Sequence, residues 1–208
     1  MAKRVKRKTA EAIAEVMQQI SAEPNLLQSL ITTLGDKGTA RLGAAKKLQL
    51  ISQANPSLLY PHFDVFAKLL DNPSSVLLWN GIIILSHLVS VDTEKRFDDV
   101  FNSYYRHLWD GKLVTAANIL GSSGRIAQHR PDLACRITTE ILKVDDIPFP
   151  TAECREVARG HALSSLAEYL EVLSNNQSVR DFITRCTASH RPPVRRQAEE
   201  LLDRMHPA

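Results

Sequence analysis

The sequence predicts an all-α protein built as a helical solenoid, one hairpin of helices stacked on the next. Three observations predict it. Apolar residues recur at three- and four-residue spacing along most of the chain. Strand signals are missing: there is no sustained alternation, and Asp110-Gly111 lies between two helical patterns rather than between β-branched runs. A small residue also returns at a regular place. Ala44, Gly81, Ala117, Ala162 and Ala198 stand 37, 36, 45 and 36 residues apart. Ala40, Leu77, Leu113, Ala158 and Val194 precede them by four, and Leu48, Leu85, Gly121, Leu166 and Leu202 follow by four. Such a row is one helix face, and a small residue at its middle lets a neighbouring backbone come close. A period of this length with two helices per unit marks stacked helical repeats.

The chain is organised around Asp71–Val91. An Asp-Asn-Pro-Ser turn opens it, with Pro73 suited to a first helical turn and Ser74 or Ser75 able to cap. The stretch is then apolar nearly all round, so neighbours must cover it on several sides. In order, Thr9 caps a helix over 10–20. Glu23-Pro24-Asn25 breaks the chain, a short helix covers 26–34, and Gly35–Gly38 ends it. Helices follow over 39–53, 58–70 (with Pro61 in its first turns), the central stretch, 94–109 and 112–128. His129–Asp132 starts 133–144. Asp145–Pro150 is a longer loop, coinciding with the 45-residue spacing, where a surface insertion costs little. Helices over 151–173, 178–188 and 194–205 complete the chain.

The repeat resembles HEAT repeats, whose pattern is a turn Asp, a Pro, then Val-Arg, a small residue and Leu. Pro193-Val194-Arg195-Arg196-Gln197-Ala198 followed by Leu201-Leu202 carries the resemblance best. Asp71-Asn72-Pro73 with Val76 fits the turn, although Leu77 and Leu78 stand where Arg is expected, and Asp36 with Ala40-Arg41 and Ala44 fits in part. Lys112–Gln128 departs from it, with Gly121 and Gly124 at apolar positions. The resemblance covers about 24–206, with the 10–20 helix as an N-terminal cap. It implies a right-handed α-α superhelix of about five HEAT-like hairpins. It also implies a non-catalytic scaffold whose second helices line a concave surface for another macromolecule, a protein in the first place.

Composition bounds the function. The content is 44% hydrophobic and 24% charged, ordinary for a globular protein, and the 6% aromatic content suits aliphatic helix packing. Net charge is +3, but Lys3, Arg4, Lys6, Arg7 and Lys8 supply five positive charges, leaving residues 9–208 at −2. The body is therefore not basic overall, which weakens a general case for nucleic acid. Residues 1–8 are read as a disordered basic tail and 9–208 as a single domain. Cys135, Cys154 and Cys186 are odd in number and suggest reduced thiols in an intracellular, cytoplasmic protein. No secretory signal is expected, and the apolar stretch at 76–91 is too short and too interrupted to span a bilayer, so no membrane partner is expected.

The candidate binding residues are Arg41, Lys46, Arg159, Arg195, Tyr105 and Trp109. Arg41, Arg159 and Arg195 each precede the small residue by three. They either present cations to an acidic partner or pair with turn carboxylates between repeats. Asp36, Asp71 and Asp110 recur at helix-to-helix turns and are expected to cap the helices that follow. Tyr104, Tyr105, Trp109 and Asp110 cluster beside Arg106 and His107. They resemble in kind the aromatics and Asp that DNA alkylation-repair glycosylases of HEAT-like fold place around a damaged base. This makes such an enzyme the alternative reading, with packing of Tyr and Trp against the central helix as the plain one. Cys186 and His190 have the spacing of a two-ligand metal pair but no second pair nearby. His87 and His161 are expected to be packed within helices. Phosphate loops and nucleophile-elbow or His-Glu-x-x-His motifs do not occur. No catalytic residue, metal or cofactor is assigned, and a homo-oligomer is a third possibility.

Overall fold

The computed structural model describes residues 2–205, of which 2–6 are described in backbone only. Among the described residues there are eleven α-helices and no strand. The helices are α1 (Ala2–Ala22), α2 (Leu26–Thr33), α3 (Ala40–Ala54), α4 (Phe63–Ala67), α5 (Ser75–Leu88), α6 (Phe97–Tyr105), α7 (Leu113–His129), α8 (Ala134–Leu142), α9 (Ala152–Ala167), α10 (Gln177–Cys186) and α11 (Pro192–Met205). None of them is long and apolar enough to cross a membrane. The fold divides into two compact units, Met1–Asp98 and Asp99–Ala208.

In the first unit, α1 and α2 pack on α3, and α3 stacks on α5. Val16 of α1 is buried, and Lys47 Nζ on α3 donates to Gln19 Oε1 on α1 at 3.2 Å. The central helix α5 is covered on several sides, as its composition demands: Leu77, Ile82, Ile84 and Leu85 are fully buried. Gly81 lets α4 and the turn after it approach, since a Cβ there would sit 2.7 Å from Leu69 Cβ and 3.3 Å from the Phe66 carbonyl oxygen. Ser52 Oγ and His87 Nδ1, 2.8 Å apart and both buried, tie α3 to α5. Here the packed His87 expected from the sequence has a specific partner.

In the second unit, α7 stacks on α9 and α9 on α11, while α8 and α10 pack together and back onto this row. Tyr104 and Tyr105 anchor α6 in the core, their rings 5.2 Å apart and edge-on. The 145–150 loop is not a surface insertion: Ile147 is fully buried and Phe149 is 8% exposed. Gly111 accepts this loop, for its φ is +66° and a Cβ would lie 2.6 Å from the Pro148 carbonyl oxygen.

Several boundaries differ from the expectation, each for a local reason. The first helix runs back through the basic stretch to Ala2, because Lys, Arg and Ala are good helix formers and no breaker separates them from 10–20. The expected 58–70 helix is broken into 3₁₀ turns on either side of a five-residue α4, since Pro56 and Pro61 each remove an amide donor. Helix α9 stops at Ala167 rather than 173. Tyr169 leaves helical dihedrals (φ −134°, ψ 30°), buries its ring and shares a hydrogen bond of 2.9 Å with Thr138 Oγ1 on α8.

Candidate functional site

Helices that stack in a row must each leave one stripe uncovered. In the second unit the uncovered stripe of α7 carries Val114, Asn118, Gly121, Arg125 and Gln128, and that of α9 carries Val157, His161, Ser164 and Glu168. On α11 it carries Pro193, Gln197, Glu200 and Arg204. Hydrogen bonds cross between helices along this face. Gln128 Nε2 donates to the Glu168 carbonyl at 2.7 Å, Gln197 Nε2 to Ser164 Oγ at 2.9 Å, and an Arg204 guanidinium N–H to the Ala167 carbonyl at 3.2 Å. They fix the helices side by side and make the face a defined surface.

A local device on this face has a counterpart in the first unit. Val114 is 50% exposed, and four residues later the Asn118 Nδ2 donates back to the Val114 carbonyl at 3.0 Å. The first unit holds the same pair on α5. Val76 is 40% exposed, and Asn80 Nδ2 donates to the Val76 carbonyl at 2.8 Å. Tying one amide hydrogen to the helix fixes the rotamer, and at half-exposed Asn118 it leaves the oxygen as an oriented acceptor. Asn80 Oδ1 is buried without a partner. Val157 with His161, and Pro193 with Gln197, occupy the same four-residue spacing on α9 and α11.

Gly121 lies between Asn118 and Arg125 and is exposed in mid-helix, where glycine costs stability relative to alanine. A Cβ there would meet only His161 Nδ1, at 3.7 Å, so packing does not require the glycine. His161 is half-buried, and loss of hydration lowers its pKa below the ordinary 6.5. The sign follows from linkage. The unfolded chain binds a proton near 6.5 before the folded one does, so this group lets stability fall as pH drops below about 6.5 and has no effect well above it. An NMR titration should place the His161 midpoint below 6.5, and His161→Gln should remove that part of the pH dependence.

These residues were not singled out from the sequence. Aligning α7 on Ala117 set its register two residues off. Ala44, Ala162 and Ala198 are buried, but Ala117 is half-exposed, and the buried row of α7 runs through Thr115, Ile119 and Ser123. The available signal was a Val or Pro four residues before an Asn, His or Gln, at 76/80, 114/118, 157/161 and 193/197.

The residues that were singled out are scattered. Arg41 is half-exposed on α3, and Lys46 is exposed, its Nζ donating to Gln49 Oε1 at 3.3 Å. Arg159 takes the pairing role: its Nε meets Asp145 Oδ1 at 2.7 Å and its Nη1 meets Glu156 Oε1 at 2.5 Å. Buried Glu156 also accepts from Ser189 Oγ. Arg159 thus fastens α9 to the turn before it. Arg195 is exposed and donates to the Ser189 carbonyl at 3.5 Å.

Tyr105 is not a surface residue. It is 2% exposed, its hydroxyl lies 3.0 Å from Ser123 Oγ, and burial raises its pKa well above 10. Trp109 is 46% exposed, and neighbouring Asp110 turns to His107 Nδ1 at 3.0 Å rather than capping α7. The aromatic set that would surround a damaged base is therefore split between core and surface. Cys186 and His190 are also separated. The thiol is buried and pushed up to about 12, chiefly by desolvation, whereas His190 is exposed and bonds Glu153 Oε2 at 3.0 Å.

No protein-family model matches the sequence, and no curated protein matches it. Among solved structures the chain is similar to a designed armadillo repeat protein, with a TM-score of 0.50 and 16% identity over 86% of this chain and 100% of that one. The fold is that of the armadillo- and HEAT-like helical repeats, as the repeat pattern of the sequence led one to expect.

Proposed function

We propose that the protein is a non-catalytic scaffold that holds an extended segment of another protein along the exposed faces of α7, α9 and α11, the second helices of its second unit. The observation that carries this reading is exposed Val114 with the tethered Asn118 carboxamide four residues on, beside exposed Gly121. A peptide group offers one donor and one acceptor, and a carboxamide complements both. The neighbouring valine or proline takes up an apolar side chain of the bound segment, and exposed Gly121 leaves its main chain room to approach. Rigid stacked helices lower the ordering cost of binding. The three free thiols accord with action in a reducing compartment such as the cytoplasm.

The test is selection of a displayed library of random peptides on the full chain. Peptides enriched by the wild type should bind Asn118→Ala about tenfold more weakly, the loss of one to two hydrogen-bond equivalents. Gly121→Arg, which fills the face, should bind at least as poorly without a fall in melting temperature. Unchanged affinity in both variants would overturn the reading.

A further inference from the structure

The cations of α1 and α3 are little offset by acids, although Arg96 in the same unit pairs with Asp64 at 2.7 Å, and this points to a second binding surface. In the second unit Arg159, Arg185, Arg191, Arg130 and Lys143 each meet a carboxylate. In the first unit, residues 1–63 hold nine Lys and Arg against four Asp and Glu, and no acid occurs between Lys37 and Phe63. Among the described residues, Lys46 and Lys47 bond the neutral carboxamides of Gln49 and Gln19. Among the described residues, neither Lys37 nor Arg41 meets a carboxylate. Helix α1, which packs on α3, carries five of these nine cations in residues 3–8, and no acid stands in its first turn. A helix N-terminus disfavours cations, so this end of α1 gains doubly from an anion. Arg7 is offset by Glu11 at 3.3 Å, yet its side chain stays 76% exposed.

We propose that α1 and α3 together bind the phosphate backbone of a duplex nucleic acid, without reading its sequence. Three features choose this partner. Residues 1–59 contain no aromatic side chain, so no platform exists for stacking the bases of a single strand. The large apolar residues among the first eight are Met1 and Val5 alone, and Val16 further along α1 is already buried, which is a poor apolar face for a bilayer. The cations stand in two dense sets with glutamines between them, suited to a polymer with closely and evenly spaced charges. Affinity would come from counterion release, with a slope of about −0.9 per phosphate neutralised.

The test is fluorescence anisotropy of short labelled DNA and RNA duplexes with the full chain, titrated at several salt concentrations. With about six phosphate contacts, affinity should fall roughly a thousandfold between about 50 and 200 mM salt. Arg41→Gln with Lys46→Gln, half-exposed and exposed on α3, should reduce the slope by about 2 without moving the melting temperature. Replacing Lys3, Arg4, Lys6 and Lys8 by Gln should reduce it further. No duplex binding at low salt would overturn the proposal. So would tighter binding to polyglutamate or to phosphatidylserine vesicles than to the duplex, or binding unchanged by both sets of substitutions.

Discussion

Asp92→Ala is expected to destabilise the protein by about 3–4 kcal/mol, as read from denaturant unfolding. The reason is the number of donors that one buried carboxylate serves. Asp92 is 6% exposed. Its Oδ1 accepts from the Arg96 amide at 2.8 Å and the Tyr60 hydroxyl at 2.7 Å, and its Oδ2 accepts from the Phe97 amide at 2.9 Å. It therefore caps α6 across a tight turn, in which Lys95 has a φ of +57°, and joins that turn to Tyr60. Alanine would orphan all three donors. Tyr60→Phe removes a single bond and should cost only about 1 kcal/mol. A spectroscopic signature separates the two effects. The Tyr60 hydroxyl is pushed up to about 12, first by burial and then by its bond to Asp92 and that group's charge. In Asp92→Ala it should ionise closer to 10, seen in an ultraviolet absorbance titration. In the wild type this group's stabilisation is present below pH 10 and fades as pH rises from 10 through about 12.

Gly124→Ala and Gly121→Ala, three residues apart on α7, should act in opposite directions. A Cβ at Gly124 would lie 2.7 Å from the Ser165 carbonyl oxygen and 2.7 Å from Glu168 Cδ. The first of these is backbone of α9, so the two helices must separate. The Gly124 amide would also be drawn from Ser165 Oγ, to which it donates. We expect a loss of about 3 kcal/mol. At Gly121 the added methyl meets an ordinary contact, and the helix gains about 0.5–1 kcal/mol from reduced backbone freedom in the unfolded chain. Thermal unfolding of the two variants checks both signs. A stabilised Gly121→Ala would mean that the wild-type glycine is retained at a cost to folding, which fits a surface shaped for a ligand.

The contrast shows where sequence reasoning stops. Both glycines read alike, as departures from the apolar pattern of a repeat. Only the position of α9 makes one a packing requirement and the other an opening. The same holds for the arginines that precede the small residues. Their shared spacing was legible, but Arg159 finds Asp145 and Glu156, Arg195 finds a carbonyl, and Arg41 meets no carboxylate among the described residues. Tyr105 and Trp109, four apart, differ in accessibility because α6 gives way to a 3₁₀ turn at Arg106 and rotates Trp109 outward. The pairs at 76/80, 114/118, 157/161 and 193/197 were readable in principle, but aligning α7 on the half-exposed Ala117 set its register two residues off.

Local composition determined the helices, the covering of α5 on several sides, the repeat of about 36 residues and the dense charge of the first eight positions. Each follows from short-range periodicity, which a helix expresses wherever it lies. Tertiary structure alone decided which stripe of each helix stays bare, which cations are neutralised and which glycines are indispensable. Many of those outcomes depend on the identity of atoms on other helices, such as Ser165 beside Gly124 or Glu153 beside Arg191, brought into contact by stacking, and no short-range pattern along the chain records that approach.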